Sequence, residues 1–439
     1  MNYSILKKTS YLGLVLTLTF GAQSCGKKGC TDPAANNYDA EAKKDDGLCT
    51  YDESTGGLTI TTTTYNGESY EKIEGSLTGN YTLTAGTKWM LSGGVFVEDG
   101  ATLTIEAGTM VYADADPLQT PFLSILQGGM IMANGTASDP IVFTPADANP
   151  TSGSWGGIIV NGYASINTGE TAQGEGDTGT YGGSNDADNS GTLRYVVVAY
   201  AGKILGTDNE LNGFSFNGVG SETTLEYLQA YMGSDDGFEF FGGTADLKYA
   251  ISTGNSDDSF DWTHGWRGNG QFWVVNQSPL SGDRGIEADN NGDNNILTPY
   301  SNPTLSNLTL VGADDANDDS NTGMRLREGT KGMIYNAIVT NFPNKGIRVS
   351  DSETITNMEA GELMVSNSAV FANGTNFDAA DIEANATNST DAVGLSGYVG
   401  TSSTNATEAS TLGSWFTSAN FVGAVESSND WTAGWSLAL

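Results

Sequence analysis

A short pattern of apolar and polar positions recurs through the middle of the chain. Each copy starts with Gly or Ser and continues with a large apolar residue, a variable residue and a second apolar residue. The copies are GFSF at 213–216, GFEF at 237–240, SFDW at 259–262, GIEA at 285–288, GMRL at 323–326 and GIRV at 346–349. Alternation of this kind is the period-2 signature of a β-strand, and the intervening Gly residues are typical of turns.

The spacing of the copies predicts a repeat architecture. Neighbouring copies start at 213 and 237, at 237 and 259, and at 323 and 346. A fixed period of 20 to 50 residues is the mark of a repeat fold. A unit of about 22 residues that holds several short strands fits one coil of a parallel β-helix, whose strands stack about 4.8 Å apart. We therefore predict an all-β fold, a right-handed parallel β-helix over residues 58–378.

The composition is that of a folded and strongly acidic protein. The 439 residues include 58 Gly and only 10 Pro, and 38% are hydrophobic, which is ample material for a core. The formal net charge is −35, from 53 acidic and 18 basic residues. Such a surface repels nucleic acid and anionic lipid. We therefore expect no nucleic-acid partner, and we interpret the acidic loops either as a solvated surface or as calcium ligands.

Residues 1–24 are typical of a targeting segment. Lys7 and Lys8 precede an apolar run, YLGLVLTLTF at 11–20, that is too short to span a membrane. Small residues then precede Cys25. This stretch resembles the signals of bacterial lipoproteins, in which the Cys carries the lipid and becomes the new N-terminus. The resemblance implies an outer-membrane lipid anchor at Cys25 and display on the cell surface; an ordinary cleaved signal peptide is the alternative.

The remaining cysteines predict a small stapled module over residues 25–57. Three Cys is an odd number for an exported chain. With Cys25 lipidated, Cys30 and Cys49 remain as a pair, and their disulfide would contribute about 3 kcal/mol. The stretch from Cys30 to Tyr51 resembles a module of the form C-T-D-P-x-A-x-N-Y…D-D-G-x-C-x-Y, which recurs in secreted and envelope proteins of Bacteroidota.

Polar insertions and a distinct tail interrupt the repeats. Residues 169–191 are Gly-rich and polar, and residues 312–322 carry four Asp. Loops of this length are usually functional or mobile. Residues 379–439 are rich in Ala, Ser, Thr and Asn and end in an aromatic segment, which we expect to pack back as a C-terminal cap.

Residues 155–439 resemble a family of β-helical envelope proteins of Bacteroidota with a pectin-lyase-like fold. The resemblance rests on WGG at 155–157, LRYV at 193–196, DDGFEFFGG at 235–243, GIE at 285–287 and DWT at 430–432. It implies the fold and an envelope location, and it brings no activity that can be transferred.

The variable residues of the repeat predict a column on the outside of the β-helix. The two large residues of each copy should point inward and the residue between them outward. Alignment of the copies then stacks Ser215, Glu239, Asp261, Glu287, Arg325 and Arg348. The pairs Asp235-Asp236 and Asp257-Asp258 precede their strands by the same offset, so they should stack at one corner.

Three interpretations of these acids stay open. In the first, acids and arginines neutralise each other and the Asp pairs make turn hydrogen bonds. In the second, Ca²⁺ bound by Asp235, Asp236, Asp257 and Asp258 relieves the repulsion between stacked carboxylates. In the third, the chain cleaves a polysaccharide with paired carboxylates. The catalytic candidates are then Glu239, Asp257, Asp258, Asp261, His264 and Glu287.

A non-catalytic binding function is the preferred prediction. A general acid needs burial and a raised pKa, whereas this column is expected on an exposed face where Arg325 keeps the acids ionised. The predicted ligand-binding residues are Trp262, Trp266, Arg267, Arg325 and Arg348. The sequence thus predicts a membrane-anchored envelope lipoprotein that displays a rigid β-helix to a polysaccharide or an envelope protein, with a glycoside hydrolase or lyase as the alternative.

Overall fold

The computed structural model describes residues 27–31, 37–44, 48, 56–115, 119–207, 209–279, 282–313, 321–378, 382 and 387–438. The chain divides into two compact units, Met1–Asp52 and Glu53–Leu439. In the first unit, Lys27 Nζ lies 2.7 Å from Asp39 Oδ2, and Cys30 is buried. Cys25 and Cys49 lie outside the described residues, so the lipid anchor and the disulfide stay predictions. No described helix has the length and apolarity needed to cross a membrane.

The second unit consists mainly of short β-strands. Besides the strands, it holds the helix α1 (Ser352–Glu359) and 3-10 turns at Glu175–Asp177 and Ala409–Thr411. The described strands are β1 (Leu58–Tyr65), β2 (Glu68–Leu77), β3 (Asn80–Leu83), β4 (Lys88–Val97), β5 (Thr102–Ile105), β6 (Met110–Ala113), β7 (Phe122–Ile125), β8 (Met130–Asn134), β9 (Ile141–Pro145), β10 (Ile158–Asn161), β11 (Ala172–Gln173), β12 (Thr180–Tyr181), β13 (Gly191–Ala199), β14 (Ile204–Gly206), β15 (Asn209–Glu210), β16 (Phe214–Asn217), β17 (Thr224–Tyr231), β18 (Phe238–Phe241), β19 (Leu247–Thr253), β20 (Phe260–Thr263), β21 (Asn269–Asn276), β22 (Arg284–Ala288), β23 (Thr304–Val311), β24 (Thr322–Leu326), β25 (Gly332–Thr340), β26 (Lys345–Val349), β27 (Leu363–Ser366), β28 (Ala369–Phe371), β29 (Thr375–Phe377), β30 (Gly400–Ser402) and β31 (Val422–Val425).

Twenty-five of these strands form one continuous sheet that winds around the core. β16 pairs in parallel with β18, β18 with β20, and β20 with β22, so each strand lies beside its equivalent in the next coil. β1 and β2 are antiparallel at the N-terminal end. The parallel β-helix predicted from the repeat is therefore confirmed.

Each coil presents three faces. The first face holds β7, β10, β16, β18, β20, β22, β24 and β26. The other two faces are the two halves of the longer strands β13, β17, β19, β21, β23 and β25. The halves are separated by a residue with positive φ, at Tyr195, Tyr227, Tyr249, Phe272, Asn307 and Asn336. These residues are skipped in the pairing between coils, so the left-handed conformation redirects each strand there.

Large inward side chains fill the coils, as the alternation predicts. Phe214, Phe238 and Phe260 are fully buried, with ring centroids 5.1 and 4.9 Å apart along the stack. Trp266 is also buried, and its ring lies 4.3 Å from that of Phe240. Offset stacking of this kind adds to the burial of the rings. The aromatic stack thus fixes the register that positions the residues on the outside of the first face.

The C-terminal segment has two parts, one on the last coil and one along the side of the β-helix. Ile382 is buried in the core, and Val370 N donates to Ser389 O at 2.9 Å, so this part lies on the last coil. Residues 395–438, which we call the strap, then run back along the outside of the longer strands. Asn336 Nδ2 donates to Thr407 O at 2.8 Å, and Gln229 Nε2 donates to Leu437 O at 2.7 Å. The expected end cap is therefore confined to the start of the segment, and the rest covers a side of the β-helix.

Candidate functional site

The variable residues of the repeat do form one column on the first face. Glu239 aligns with Ser215 on one side and with Asp261 on the other, and Glu287 aligns with Asp261. Arg325 and Arg348 continue the column in register. The predicted stacking is confirmed. We call Glu239, Asp261 and Glu287 the acidic column.

The acidic column is covered, which corrects the expectation of an exposed, ionised ladder. Glu287 is only 7% exposed, and Asp261 Oδ1 is buried without a hydrogen-bond partner among the described residues. Arginines surround Glu287, and the polar insertion lies on the start of the first face through Ser124 and Asn161. Within this insertion, β11 and β12 form a small antiparallel hairpin. We call residues 172–181 the flap.

The flap rests on the first face through its tip and its last residue. Thr178 O accepts hydrogen bonds from Ser124 Oγ at 2.5 Å and from Asn161 Nδ2 at 3.1 Å. Tyr181 is buried, with its ring centroid 6.2 Å from that of Phe241. Because Ser124 belongs to the same column as Ser215 through Ile159, the flap lies directly over the line of outward side chains.

The Asp pairs stack at the turn that precedes the first face. We call Asp235, Asp236, Asp257 and Asp258 the acidic corner. Asp236 Oδ1 accepts from Asp258 N at 2.9 Å, and Asp258 Oδ1 accepts from Arg284 N at 2.8 Å. The inner Asp of each pair therefore holds the backbone of the next coil, as the turn interpretation requires. Asp235 is half-buried and Asp257 is exposed.

The corner and the column form one continuous group of carboxylates. One oxygen each from Asp235, Asp236 and Asp257 lies within 4.8 Å of the others. Three further groups of three carboxylates have oxygens equally close to one another. They are Asp257, Asp258 and Asp283; Asp236, Glu239 and Asp261; and Asp258, Asp261 and Glu287. Buried carboxylates at such separations cannot all ionise without a compensating charge.

Burial raises the pKa of these carboxyls. For Asp236, Glu239, Asp258 and Asp261 the pKa lies well above its usual range, first because of burial and then because of neighbouring acids. The pKa of Asp235 rises to about 8 through burial and the charge of Asp257. In the absence of a cation, the group therefore retains protons at neutral pH.

Arginines close the far end of the acidic column. Arg284 Nε lies 2.9 Å and Arg325 Nη1 lies 3.6 Å from Glu287 Oε1, and Arg327 pairs with the other oxygen. Burial still keeps the pKa of Glu287 above its usual range, against the effect of these three arginines. Arg327 also donates from Nε to both oxygens of Asp289, at 2.9 and 3.1 Å. At one end of the acidic column, Glu239 has no arginine partner among the described ion pairs, whereas at the other end Glu287 is paired with three arginines.

The predicted ligand-binding residues have other roles in the structure. Trp262 and Trp266 are 1% and 0% exposed, so the prediction that they offer flat faces to sugar rings is wrong. Both indoles lie inside the coil because that is where the apolar surface is buried. Arg267 Nη2 donates to Asp186 Oδ2 and to Ser165 Oγ, both at 2.9 Å, and thereby fixes the insertion.

The single His is a half-buried neutral group. His264 Nδ1 lies 3.3 Å from Tyr181 Oη, next to the flap. Burial lowers the pKa of His264 to about 4. His264 therefore contacts the flap through Tyr181 and carries no charge at neutral pH. Arg348, at the end of the column, lies 3.6 Å from Asp378.

Several residues of the site were missed at the sequence level. Asp283 precedes Ile286 by the same three positions that separate Asp235 from Phe238 and Asp257 from Phe260. The repeat alignment thus contained a signal for this third acid. Tyr181 belongs to the polar insertion at 169–191, which the sequence marked only as a whole, and no pattern within the insertion marked this residue.

A family model for a pectate-lyase-like β-helix domain matches residues 75–436. The matched region contains the first face, the acidic corner, the flap and nearly all of the strap. No curated protein and no solved structure matches the chain. Since the family model covers most of the sequence and the strands wind as a parallel β-helix, the chain belongs to the family of pectate-lyase-like β-helix domains.

Proposed function

We propose that the chain is a lipid-anchored envelope protein whose β-helix is a rigid, cation-supported scaffold for binding a polysaccharide or an envelope-protein ligand. The observation that carries the proposal is the continuous group of closely spaced carboxylates in the acidic corner and the acidic column. Their oxygens lie within 4.8 Å of one another in groups of three, which is close enough to share a cation. Display on the cell surface agrees with the lipoprotein-like N-terminus.

The residues of the acidic corner suit Ca²⁺. This ion takes six to eight oxygen ligands at 2.3–2.6 Å and accepts irregular geometry. Asp235, Asp236, Asp257 and Asp258 offer carboxylate oxygens from adjacent coils, and Asp283 adds a further one. Buried oxygens of Asp261 and Asp283 have no hydrogen-bond partner among the described residues, so they lack the compensation that buried polar atoms normally have.

Calcium titration tests the cation site. We expect saturable binding in calorimetry and a higher unfolding midpoint, because a ligand that binds only the folded state at 100 times its Kd stabilises that state by about 2.7 kcal/mol. The double variant Asp235→Asn/Asp257→Asn should lose most of this gain. These two carboxylates are the less buried ones of the corner, and they leave the backbone hydrogen bonds of Asp236 and Asp258 in place.

The matched control is Glu222→Gln, which removes an exposed acid of the same β-helix. It should keep the full Ca²⁺ response. An unfolding midpoint that ignores Ca²⁺ in the wild type, or that responds equally in the double variant, would refute the site.

The anchor is tested separately at Cys25. We expect Cys25→Ser to move the protein from the membrane fraction to the soluble fraction, since no other anchor is predicted in the sequence. The control is Cys30→Ser, which should stay with the membrane. Equal membrane retention of both variants would contradict the lipoprotein assignment.

Polysaccharide cleavage is the second candidate function, and one observation favours it. Glu239 and Asp261 have close oxygens and raised pKa values, as a general acid beside a carboxylate partner requires. Release of product from neutral or acidic glycans, lost in Glu239→Gln and retained in Glu222→Gln, would support the enzyme over the scaffold.

A further inference from the structure

Two arginines without hydrogen bonds lie side by side on the first face. Arg325 in β24 and Arg348 in β26 are aligned in register, so their backbones lie about 4.8 Å apart. Their side chains are 25% and 41% exposed. Neither guanidinium donates a hydrogen bond to a described residue, and Arg325 Nε is buried without a partner. We call these two residues the arginine pair, which retains unused hydrogen-bond donors.

On one side of the arginine pair, the nearest acid is engaged by two other arginines. Glu287 Oε1 lies 3.6 Å from Arg325 Nη1, which is beyond hydrogen-bond distance. The same oxygen lies closer to Arg284 Nε, at 2.9 Å, and the other oxygen contacts Arg327. Glu287 therefore leaves the guanidinium of Arg325 available to a ligand.

On the other side of the arginine pair, the nearest acid is engaged by a lysine. Lys345 Nζ contacts Asp378 Oδ1, whereas Arg348 Nε lies 3.6 Å from Asp378 Oδ2. Asp378 therefore has a closer partner, as Glu287 does, and Arg348 is also available. Both guanidinium groups can then turn their N–H groups to one anion between them.

The arginine pair suits a tetrahedral anion better than a carboxylate. A carboxylate has two oxygens, and a single guanidinium takes both in a bidentate pair. A sulfate or phosphate ester has three free oxygens, which can accept hydrogen bonds from two guanidinium groups at once. A polymer that carries such esters at intervals also meets less repulsion than a fully charged polyanion does, because the net charge of the chain is −35.

We propose that the arginine pair binds sulfate or phosphate ester groups of the polysaccharide ligand. This inference rests on the proposed binding function and names the chemical group that is recognised. The ester lies over β24 and β26, where it accepts hydrogen bonds from both arginines. The contact is short-ranged and depends on the planar guanidinium groups, because the field of the whole chain is negative.

Calorimetry on the intact protein in buffer without Ca²⁺ tests the site with four small sugars. We expect glucose 6-sulfate and glucose 6-phosphate to bind more tightly than glucuronate, and glucose to show no binding. The double variant Arg325→Gln/Arg348→Gln should weaken ester binding by a factor on the order of ten, because it removes charge-assisted hydrogen bonds. Arg325→Lys/Arg348→Lys keeps both charges and should still bind the esters more weakly than the wild type, since it loses the bidentate geometry.

The matched control is Arg194→Gln, which removes an exposed arginine from β13, outside the first face. It should bind both esters as the wild type does. Equal weakening in the control and in the double Gln variant would attribute the effect to net charge and overturn the site. Tighter binding of glucuronate than of either ester would overturn the assignment to a tetrahedral anion. Should the double Gln variant fail to fold, the Lys variant decides between the two outcomes.

The two esters also distinguish the source of the anion. Equal affinities support recognition of the shared tetrahedral group, and a preference for one ester identifies the group that the ligand carries. Calcium calorimetry separates this inference from the proposed function. If Ca²⁺ binds and neither ester does, the arginine site is refuted while the cation-supported scaffold stands. If the esters bind and Ca²⁺ does not, the cation part of the proposed function fails and the arginine site stands.

Discussion

At the scale of single residues, one strand contains two neighbours with opposite roles. Phe238 is fully buried between Phe214 and Phe260, whereas Glu239 faces the other side and accepts a hydrogen bond from Asn212 Nδ2 at 2.5 Å. We expect Phe238→Ala to lower the free energy of unfolding by about 3–5 kcal/mol, through lost transfer energy and a cavity.

Glu239→Gln provides the contrast when the free energies of unfolding of both variants are measured by urea denaturation. The raised pKa of Glu239 means that the side chain is largely protonated without a cation, and Gln has a similar shape. We therefore expect little change in EDTA and a loss of stabilisation by Ca²⁺. Similar destabilisation of the two variants in EDTA would contradict the division between inside and outside.

The same residue pattern shows how far the sequence could be interpreted. Alternation placed Phe238 inside and Glu239 in a column, and both placements are confirmed. It also placed Trp262 in an inward slot, which already argued against a role in sugar binding. Burial of Glu239 could not be predicted, because its cover lies in the flap, far away along the chain.

At the scale of elements, the strands were predictable and the segments that cover them were not. The flap has no repeat, and its position depends on contacts such as that between Tyr181 and His264, 83 residues apart. The strap had an indirect signal. Val196, Val197 and Val198 form a continuous apolar run in β13, and such runs are typical of strands buried on both faces.

The strap covers the outward face of these longer strands. Val197, Ile251 and Val274 point out of the coil and are covered by Ala424, Val425 and Trp435. An outward apolar strip of this length would otherwise favour association with other chains. The tail is thus needed along the side of the β-helix, and only a short part of it lies on the last coil.

At the scale of the whole molecule, the acidic group makes stability depend on pH. The pKa of Asp235 is about 8 in the folded chain against an ordinary value of 3.8. A carboxyl with a raised folded pKa stabilises fully below its unfolded pKa, and that contribution is lost as the pH rises through the folded value. His264 acts in the opposite direction, but only between its folded pKa of about 4 and its ordinary value of 6.5.

The window from about pH 6.5 to about pH 8.5 therefore isolates the carboxyls. In EDTA, we expect the unfolding midpoint to fall across this window, because the folded chain binds more protons than the unfolded chain does. Saturating Ca²⁺ should weaken the fall, since the cation binds the ionised carboxylates. Asp235→Asn should also flatten the slope, and Glu222→Gln should keep it. A midpoint in EDTA that is constant or rises with pH would show that the buried group is not protonated in the folded protein, and it would remove the main electrostatic reason for a cation at the corner.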